Sequence, residues 1–396
     1  MCKMSLETAL EKCLTYARPE GTEIIKPEHG YQRVSAVDIY ADINMPSFPR
    51  SMVDGYTIHE TDINNLIQGK KTELTITGMI SAGDLIKPIF NPGQTIEIMT
   101  GAILPPGTAA VVKKEEVIEN QDRVFIEQSV MPGENIQSCG HQIKKGTLLA
   151  TAGQVLDILT LERIASCGID SFPVFKLPQV YIINTGSELI QTGKRLNEGQ
   201  IYASNRTMYF NHLAACGCNP KGAEYPVADD AAAITEQIYA GIKQSHFIII
   251  SGGTEQGRFD LVREAFHNIE AEIILAGLDM RPGRNTCAAV KNGVIMCNLP
   301  GNPGAGNIIF EALVKPVIRK IKGINDFHNK WLPIVLSNPD QIKSSSRMLV
   351  RGCAEIRNGQ LTARIINKHE KPYGLFNLII DTDSFDKKLV KAFMVD

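Results

Sequence analysis

The sequence predicts a multidomain protein that combines a doubly wound α/β domain with β-rich N-terminal domains and a C-terminal β-barrel. The chain has 396 residues, which exceeds the ~100 to 200 residues of a typical domain. Short apolar runs alternate with amphipathic helices only in its middle third, and short strand-like runs separated by Gly and Pro lie on both sides. We therefore expect units at residues 1–176, 177–323 and 324–396.

The N-terminus predicts an amphipathic helix, and both flanking units predict strands. In "MCKMSLETALEKCLTYA" one helical face carries Leu6, Ala9, Leu10, Cys13 and Leu14. The runs that predict strands are "TELTITGMI", "TIEIMTG" and "AAVVKKEEV" in the N-terminal unit and "NKWLPIVLS", "RMLVRGCAEI" and "GQLTARIINK" in the C-terminal one. The last ~70 residues therefore predict an all-β unit.

Strands and helices alternate in the middle unit. The predicted strands are "QVYIIN", "HFIIIS" and "GVIMCN", and the predicted helices are "RTMYFNHLAACG", "DDAAAITEQIYAGIKQS", "RFDLVREAFHNI" and "GNIIFEALVKPVIRKIKG". Such alternation is typical of a parallel sheet covered on both faces. Ligands of these sheets bind beyond the carboxyl ends of the strands.

A glycine-bearing polar loop follows each of these three strands. The loops are "TGSE" (185–188), "GGTEQG" (252–257) and "LPGNPG" (299–304). One such loop is most often a tight turn, but three at successive strand ends, two of them leading into helices, favour a phosphate-containing ligand. None fits GxxxxGK[ST] or GxGxxG, so neither an ATPase nor an NAD site is supported.

Composition excludes several classes of partner. Lys and Arg total 41 against 43 Asp and Glu, so no overall field would attract nucleic acid or an anionic membrane. Nine cysteines are scattered, and only Cys216 and Cys218 lie close together, which favours free thiols in a reducing cytoplasm. No run approaches the ~18 apolar residues needed to span a bilayer.

Seven collinear motifs resemble one family over almost the whole chain. They are "PSFPRSMVDGY" (46–56), "IMTGAILPPGTAAVV" (98–112), "NTGSEL" (184–189), "YASN" (202–205), "SGGTEQGRFD" (251–260), "RPGR" (281–284) and "LPGNP" (299–303). In order and spacing the sequence is similar to the molybdopterin molybdenumtransferases, the MoeA-type proteins related to the gephyrin E domain. The resemblance implies an elongated homodimer whose subunits have two interleaved N-terminal domains, a molybdopterin-binding α/β domain and a C-terminal β-barrel.

The resemblance also implies the reaction. Molybdate is inserted into the dithiolene of adenylylated molybdopterin, AMP is released, and Mg²⁺ assists. Tungstate and molybdate have nearly the same size and charge, so the sequence does not distinguish them. The implied protein partners are the molybdopterin adenylyltransferase and recipient molybdoenzymes, and the implied active site is shared between the two subunits.

The family motifs assign catalytic positions to Asp54, Thr100, Glu188 and Asp260. Glu188 and Asp260 both follow strand ends of one sheet, so they can converge on one ligand. The resemblance implies that this ligand includes Mg²⁺, which binds one or two carboxylates together with phosphate and water. An Asp before Gly, as at Asp54, otherwise serves in a turn. A further acidic family position falls on Asp229 or Asp230, where an N-cap is the alternative.

Substrate binding is assigned to cationic and small polar positions. Arg281, Arg284 and Arg351 match family cations that would hold an oxyanion and a phosphate, although solvated surface arginines are the alternative. The remaining matched positions are Ser204, Asn205, Gly252, Gly253, Pro300, Gly301, Asn302 and Pro303. Glycine and proline there set backbone geometry.

Several residues depart from the family pattern. The departures are Gln137 for an arginine, His141 and Gln142 for Glu-Asp, Glu255 for a serine, Arg258 for an acidic residue, Gly277 where a lysine is frequent, Asn285 for a proline and Ala305 for a serine. A carboxylate beside a phosphate costs on the order of 1 to 4 kcal/mol, so Glu255 must pair with Arg258, point away or bind Mg²⁺. Two hypotheses stay open: a working transferase with redistributed charges, or a catalytically impaired paralogue that binds molybdopterin or its cofactor as a carrier or chaperone.

Overall fold

The computed structural model describes residues 3–85, 88–223, 225–252, 261–342, 346–367, 370, 374–386 and 388–395. Its N-terminal part contains helices α1 (Leu6–Tyr16), α2 (Ile63–Ile67) and α3 (Ile158–Ser166) and strands β1 (Thr22–Ile25), β2 (Ile39–Tyr40), β3 (Arg50–Ser51), β4 (Gly55–His59), β5 (Thr72–Ile80), β6 (Gln94–Ile98), β7 (Thr108–Lys113), β8 (Ile118–Asn120), β9 (Arg123–Ile126), β10 (Ile136–Gln137), β11 (Leu148–Ala150) and β12 (Phe172–Phe175).

These strands form one large sheet and several short two-stranded sheets. Within the described residues the large sheet has six strands in the order β7-β4-β6-β5-β9-β8. Its core is built from buried side chains that include Tyr56, Ile58 and Leu74. The short antiparallel pairs β1–β12, β2–β11 and β3–β10 join the outgoing chain to the returning chain. Residues far apart in sequence therefore share one layer.

The middle part contains strands β13 (Gln179–Asn184), β14 (Leu189–Ile190), β15 (Ile201–Tyr202), β16 (Asn219–Gly222), β17 (Phe247–Ser251), β18 (Glu272–Leu275), β19 (Cys287–Lys291) and β20 (Val294–Leu299) and helices α4 (Ser204–Ala215), α5 (Ala231–Ile242), α6 (Leu261–Asn268), α7 (Pro303–Ile309) and α8 (Lys315–Ile321). The sheet order is β16-β13-β17-β20-β19-β18 in the described part of the chain. The first four strands are parallel, which confirms the predicted α/β fold, and β19 and β18 extend the sheet antiparallel.

Apolar side chains cover both faces of this sheet. Phe247 and Ile249 of β17 belong to the core under α4, α7 and α8, whereas Ile248 and Ile250 face α5 and α6. This alternation is that of a strand buried on both sides. The long helix predicted after β20 is interrupted by a π-helical turn, Phe310–Val314, between α7 and α8.

Helix α1 packs on the α/β sheet. Ser5 caps it by accepting a hydrogen bond from the Thr8 N–H at 3.1 Å. Leu6, Ala9 and Cys13 are buried in the same core as α8 and β20, and Leu10 packs against that core while partly buried. The predicted apolar face is therefore confirmed, and its partner is the middle unit of the chain.

The C-terminal part is a closed β-barrel. In the described residues it consists of β21 (Leu332–Leu336), β22 (Leu349–Arg357), β23 (Gln360–Ile365), β24 (Phe376–Asp386) and β25 (Leu389–Val395), in the order β21-β23-β22-β24-β25. Leu336, Ala363, Ile380 and Val390 are buried in its core. The predicted all-β unit is confirmed.

None of the helices formed by the described residues is both long enough and apolar enough to cross a membrane.

Candidate functional site

Three loops meet at the carboxyl edge of the parallel strands. Gly252 has φ 110°, and a Cβ there would lie 2.0 Å from the carbonyl oxygen of Thr185. A Cβ on Gly301 would lie 3.6 Å from the Cα of Gly252. The loops after β13, β17 and β20 are thus in backbone contact, and only glycine fits at position 252. We call Thr185, Gly252 and Gly301 the glycine junction.

Asn205, in the first turn of α4, ties two of these loops together. Its side-chain nitrogen donates to the Ser251 hydroxyl at 2.8 Å and to the Gly301 carbonyl oxygen at 2.7 Å. Its Oδ1 is buried and has no hydrogen-bond partner within the described chain. Ser204, the first residue of α4, is exposed beside it. The "YASN" motif therefore lies at the glycine junction, as expected for a loop-end site.

Asp229 and Asp230 have different roles. Asp229 accepts hydrogen bonds from the Thr185 hydroxyl at 2.7 Å and the Ser187 N–H at 3.0 Å, so it fixes the loop after β13. Asp230 is the N-cap of α5 and accepts from the Ala233 N–H at 2.8 Å. The N-cap alternative thus applies to Asp230, and Asp229 is the residue at the site edge.

An open cleft of about 890 Å³ lies between the α/β sheet and the barrel. Arg281, Arg284, Asn302, Pro303 and Arg351 line it, and we call this set the arginine cleft. All three arginines are exposed. In the part of the chain that the structure describes, no carboxylate pairs with their guanidinium groups. Three free guanidinium groups around one opening favour an anionic ligand.

The rest of the cleft wall is apolar. Ile308 of α7, Met348, Leu349 and Val350 at the barrel edge and Ile366 contribute to it. An apolar wall beside guanidinium groups suits a flat heterocycle that carries a phosphate. Pro303 begins α7, and Asn302 caps this helix by accepting from the Ala305 N–H at 3.2 Å. Ala305, which lacks the hydroxyl of the family serine, thus keeps its backbone contact.

Backbone pairing joins the two walls of the cleft. The Arg281 N–H donates to the Arg347 carbonyl oxygen at 3.2 Å, and the Leu349 N–H donates to the Arg281 carbonyl oxygen at 2.8 Å. Gly283 has φ 116°, and a Cβ there would lie 2.8 Å from Ile309 of α7. The "RPGR" loop is therefore held by both the barrel and the helix after the third glycine loop.

Gly277, one of the departures from the family pattern, has a conformation that explains its identity. Its φ is 140°, and a Cβ would lie 2.6 Å from the carbonyl oxygen of Arg284. Its own carbonyl oxygen accepts from the Met4 N–H at 3.1 Å. A lysine does not fit this backbone, because both its φ and its Cβ would be strained.

Asp54 and Thr100 form a second site on the large N-terminal sheet. Asp54 Oδ1 accepts from both the Thr100 N–H and the Thr100 hydroxyl at 2.7 Å. The backbone bond and then the hydroxyl bond lower the pKa of the Asp54 carboxyl below its ordinary value, and Lys114 adds a smaller electrostatic effect. Both residues are exposed. No hydrogen bond between described residues connects this pair to the arginine cleft within one chain.

Two buried polar residues near the glycine junction were not predicted. Asn184 ends β13 with 4% exposure, and neither polar atom of its side chain has a partner in the described chain. The Tyr209 hydroxyl of α4 is buried near Ser251, and burial raises the pKa of this phenol. A Cβ on Gly306 would lie 2.3 Å from that hydroxyl. The polar ending of the run "QVYIIN" was the available signal for Asn184.

The other predicted positions divide into two groups. Glu188 is exposed after β13, and its carboxylate has no side-chain partner among described residues. Gln137 accepts from the Arg50 Nε at 2.7 Å, and His141 and Gln142 are exposed. The predictions for Gly253, Glu255, Arg258 and Asp260 lie outside the described residues and stay predictions.

The described side chains are compatible with Mg²⁺ but do not enclose it. Within the described ranges, no three His, Cys, Asp or Glu side chains cluster. Mg²⁺ needs few protein carboxylates when phosphate oxygens and water complete its octahedron. Glu188 supplies one available carboxylate at the strand end, whereas the carboxylate of Asp229 is engaged by Thr185 and Ser187.

The fold and these loops define a class of protein. The chain matches the family model described as the MoeA N-terminal region (domain I and II) over residues 4–168. It matches the model described as a probable molybdopterin binding domain over residues 181–320. It therefore has a MoeA-type N-terminal region followed by a domain of the molybdopterin-binding class.

Relatives and solved structures identify the family. The chain is 29% identical to a Haemophilus influenzae molybdopterin molybdenumtransferase, covering 81% of this chain and 78% of that one. It is 30% identical to a Staphylococcus aureus molybdopterin molybdenumtransferase, covering 75% and 70%. Two structures of the Pyrococcus horikoshii molybdopterin biosynthesis MoeA protein have TM-scores of 0.81 and 0.79, identities of 25% and 24%, and coverage of 99% or more of both chains.

The chain belongs to the molybdopterin molybdenumtransferase family. The predicted family, fold class and enzyme class are confirmed.

Proposed function

We propose that this chain inserts molybdate into adenylylated molybdopterin with release of AMP. The observation that carries this proposal is the arginine cleft, because three guanidinium groups without carboxylate partners in the described chain line one opening next to the glycine junction. Molybdate is a tetrahedral dianion and the adenylylated substrate carries a phosphoanhydride, so both need cationic partners. No observation favours the impaired-paralogue alternative.

Each wall of the cleft has a proposed role. Arg281 and Arg284 hold the oxyanion from the α/β side, and Arg351 holds it from the barrel side. Forked contacts from arginine fix both position and orientation, which a lysine ammonium does not do. Met348 and Ile308 supply apolar surface for a ring of the substrate.

The glycine junction is the proposed binding site for the pterin end. Ser204, Asn205 and Asn302 offer polar side chains there, and Gly252, Pro300 and Gly301 let the ligand approach the backbone closely. The buried, unpartnered amide of Asn184 supports this assignment, because a ligand that brings hydrogen-bonding atoms offsets the cost of burying it. Gly253 and Pro303 complete the proposed set.

Mg²⁺ is proposed to bind beside Glu188 and Asp260. When bound, the ion supplies electrostatic stabilisation of the phosphate oxygens as the phosphoanhydride is cleaved. The chain's own part is to present the Glu188 carboxylate at the strand end and to keep the loop after β13 fixed through Asp229.

Asp54 and Thr100 are proposed to complete the site of a second subunit in a homodimer. This pair is exposed, is held rigid by two hydrogen bonds, and makes no contact with the arginine cleft in its own chain as far as the structure describes it. The lowered pKa keeps Asp54 ionised, so its carboxylate can accept a hydrogen bond from a hydroxylic group and orient it. Its role therefore needs another copy of the chain.

Further parts of the proposal concern the cell and the chain's organisation. A cytoplasmic location is supported by the cysteines that the structure describes, none of which forms a disulfide. The gap between β12 and β13 and the end of α8 support boundaries near residues 176 and 323. Molybdopterin adenylyltransferase and molybdoenzymes are the proposed protein partners.

One experiment tests the reaction. Purified protein is mixed with adenylylated molybdopterin, molybdate and Mg²⁺, and AMP is measured by chromatography. We expect molybdate-dependent AMP release that is abolished in a variant with Arg281→Ala and Arg351→Ala together, whereas Arg357→Ala on the exposed end of the barrel strand β22 leaves it unchanged. Tight binding of the substrate without AMP release would contradict the proposal and favour a carrier role.

A further inference from the structure

Outside the arginine cleft, the Arg347 side chain connects helix α1 to the barrel. Its guanidinium donates to both carboxylate oxygens of Glu7, in the first turn of α1, at 2.6 and 2.9 Å. It also donates to Asp381 of β24 at 2.6 and 3.1 Å. Asp381 is only 5% exposed. Two forked contacts from one guanidinium are the strongest class of charge-assisted hydrogen bond.

The backbone of the same residue reaches the cleft. The Arg347 carbonyl oxygen accepts from the Arg281 N–H at 3.2 Å, and two residues on the Leu349 N–H donates back to Arg281 at 2.8 Å. Arg351, the barrel side of the arginine cleft, follows Leu349 by two residues on β22. The position of Arg347 therefore sets where the strand carrying Arg351 meets the loop carrying Arg281.

The segment before α1 closes a ring of contacts. The Met4 N–H donates to the Gly277 carbonyl oxygen at 3.1 Å, and the Asp279 N–H donates to the Met4 carbonyl oxygen at 2.8 Å. Residues 277–279 lead directly into the "RPGR" loop. Glu7 is thus tied to the cleft loop through Met4 and to the barrel through Arg347.

We propose that Arg347 is a positioning residue that, by binding Glu7 and Asp381 together, fixes the distance of Arg351 from Arg281 and Arg284 across the cleft. This role rests on the proposed function for its effect on molybdate, but its effect on the backbone does not. Arg364 provides a matched control. It also pairs with two carboxylates, Glu355 and Glu370, and is as shielded as Arg347, but all three of its residues belong to the barrel segment.

Hydrogen exchange tests whether Arg347 holds the backbone on both sides of the cleft. Amide exchange is followed by mass spectrometry in peptides covering 277–284 and 346–352. We expect Arg347→Met to speed exchange in both peptides by roughly tenfold and Arg364→Met to leave them unchanged. Glu7→Gln, which keeps the Asp381 contact, is expected to have a smaller effect in the same direction. Unchanged exchange in Arg347→Met and Glu7→Gln would overturn the proposal whatever the activity.

Kinetics test the consequence for the cleft. We expect Arg347→Met to raise the KM for molybdate in the AMP-release assay by roughly tenfold with little change in kcat. Arg347→Lys keeps the charge but cannot bind two carboxylates in forked geometry. We expect its KM for molybdate to lie between those of the wild type and Arg347→Met. Faster exchange with an unchanged KM overturns the positioning role. If the wild-type protein releases no AMP, the proposed function fails, and the exchange experiment still decides whether Arg347 holds the cleft.

Discussion

The side-chain nitrogen of Asn205 lies 2.7 Å from the carbonyl oxygen of Gly301, although the two residues are 96 positions apart. The same nitrogen also binds the Ser251 hydroxyl. A helix N-terminus, a strand end and a glycine loop are therefore locked by one amide group. The glycine junction is a preformed edge, and its geometry is sensitive to the exact side chain at position 205.

Replacing Asn205 with Asp removes the donor and brings a carboxylate to the Gly301 carbonyl oxygen. We expect a loss of about 1 to 3 kcal/mol in the free energy of unfolding, measured by urea titration, and a fall in kcat/KM for AMP release. Asn211→Asp is the control, because Asn211 lies on the same helix and donates to a backbone carbonyl but is exposed. Equal effects of the two substitutions would contradict the role given to Asn205.

Gly252→Ala tests the close approach at the junction. The new Cβ would meet the Thr185 carbonyl oxygen, so the loops must move apart, and we expect a loss of about 1 to 3 kcal/mol in stability together with weaker substrate binding. Gly193→Ala is the matched control, since Gly193 has φ 90° and nothing within 4 Å of a Cβ. Gly193→Ala therefore introduces the strain of a positive φ but no clash of the new Cβ. Thermal unfolding and calorimetric titration with substrate should separate the two variants.

Thr100→Ala tests the hydrogen bonds to Asp54. The hydroxyl bond is lost but the backbone N–H bond remains, so we expect the pKa of Asp54 to rise while staying below its ordinary value. Carbon-13 NMR titration of labelled aspartates measures this. Asp157, whose pKa is lowered mainly by the Thr160 N–H, serves as an internal control in the same spectra. No change at Asp54 would show that the hydroxyl contributes nothing.

A mixing experiment tests the shared site. In the proposed homodimer, the Asp54→Asn and Arg351→Ala variants are each expected to be inactive, and subunit exchange between them creates dimers with one intact site. About a quarter of wild-type AMP release should return after random mixing of a symmetric dimer. Mixing two Asp54→Asn preparations is the control and should restore nothing. Inactivity of the true mixture would place Asp54 and Arg351 in the same chain's site or outside it.

Stability at acid pH tests the contact between Glu7 and Arg347. Hydrogen bonds from Arg347 lower the pKa of Glu7 from 4.5 to about 2. A carboxyl with a lowered pKa stabilises the folded state above its unfolded pKa and loses that effect as pH falls through its folded pKa. The difference in unfolding free energy between wild type and Glu7→Gln should thus be constant above about pH 5 and shrink between 4.5 and about 2. A constant difference across this window would contradict the contact.

Local pattern predicted the elements well, because it is set by neighbouring residues. The buried face of α1 follows the 3.6-residue period of Leu6, Ala9 and Cys13. The short, continuous apolar run "FIIIS" favours a strand buried on both faces, and it forms one. The antiparallel strands β18 and β19 were not predicted, because short runs such as "EIIL" carry no signal for strand direction.

The sequence predicted the site residues that lie within motifs, but not the contacts between those motifs. Asp229 and Asp230 are adjacent and chemically alike, and only the backbone angles at the start of α5 decide that Asp230 is the cap. Arg281 and Arg351 line one cleft because the backbone of Arg281 pairs with that of Met348. The two segments are distant in sequence, and neither motif predicts this pairing. The buried amide of Asn184 depends on which face of β13 it occupies, and one sequence does not reveal its surroundings.

The backbone at Gly277 limits how this protein can change. A lysine at position 277 cannot be introduced by a single substitution without strain, because the chain must first leave its positive φ and move away from Arg284. Met4 also pairs with this loop, so the N-terminal segment would have to move with it. On this side of the cleft, the proposed anion site therefore depends on the arginines of the "RPGR" loop, and a change in its affinity has to arise from them or from the barrel.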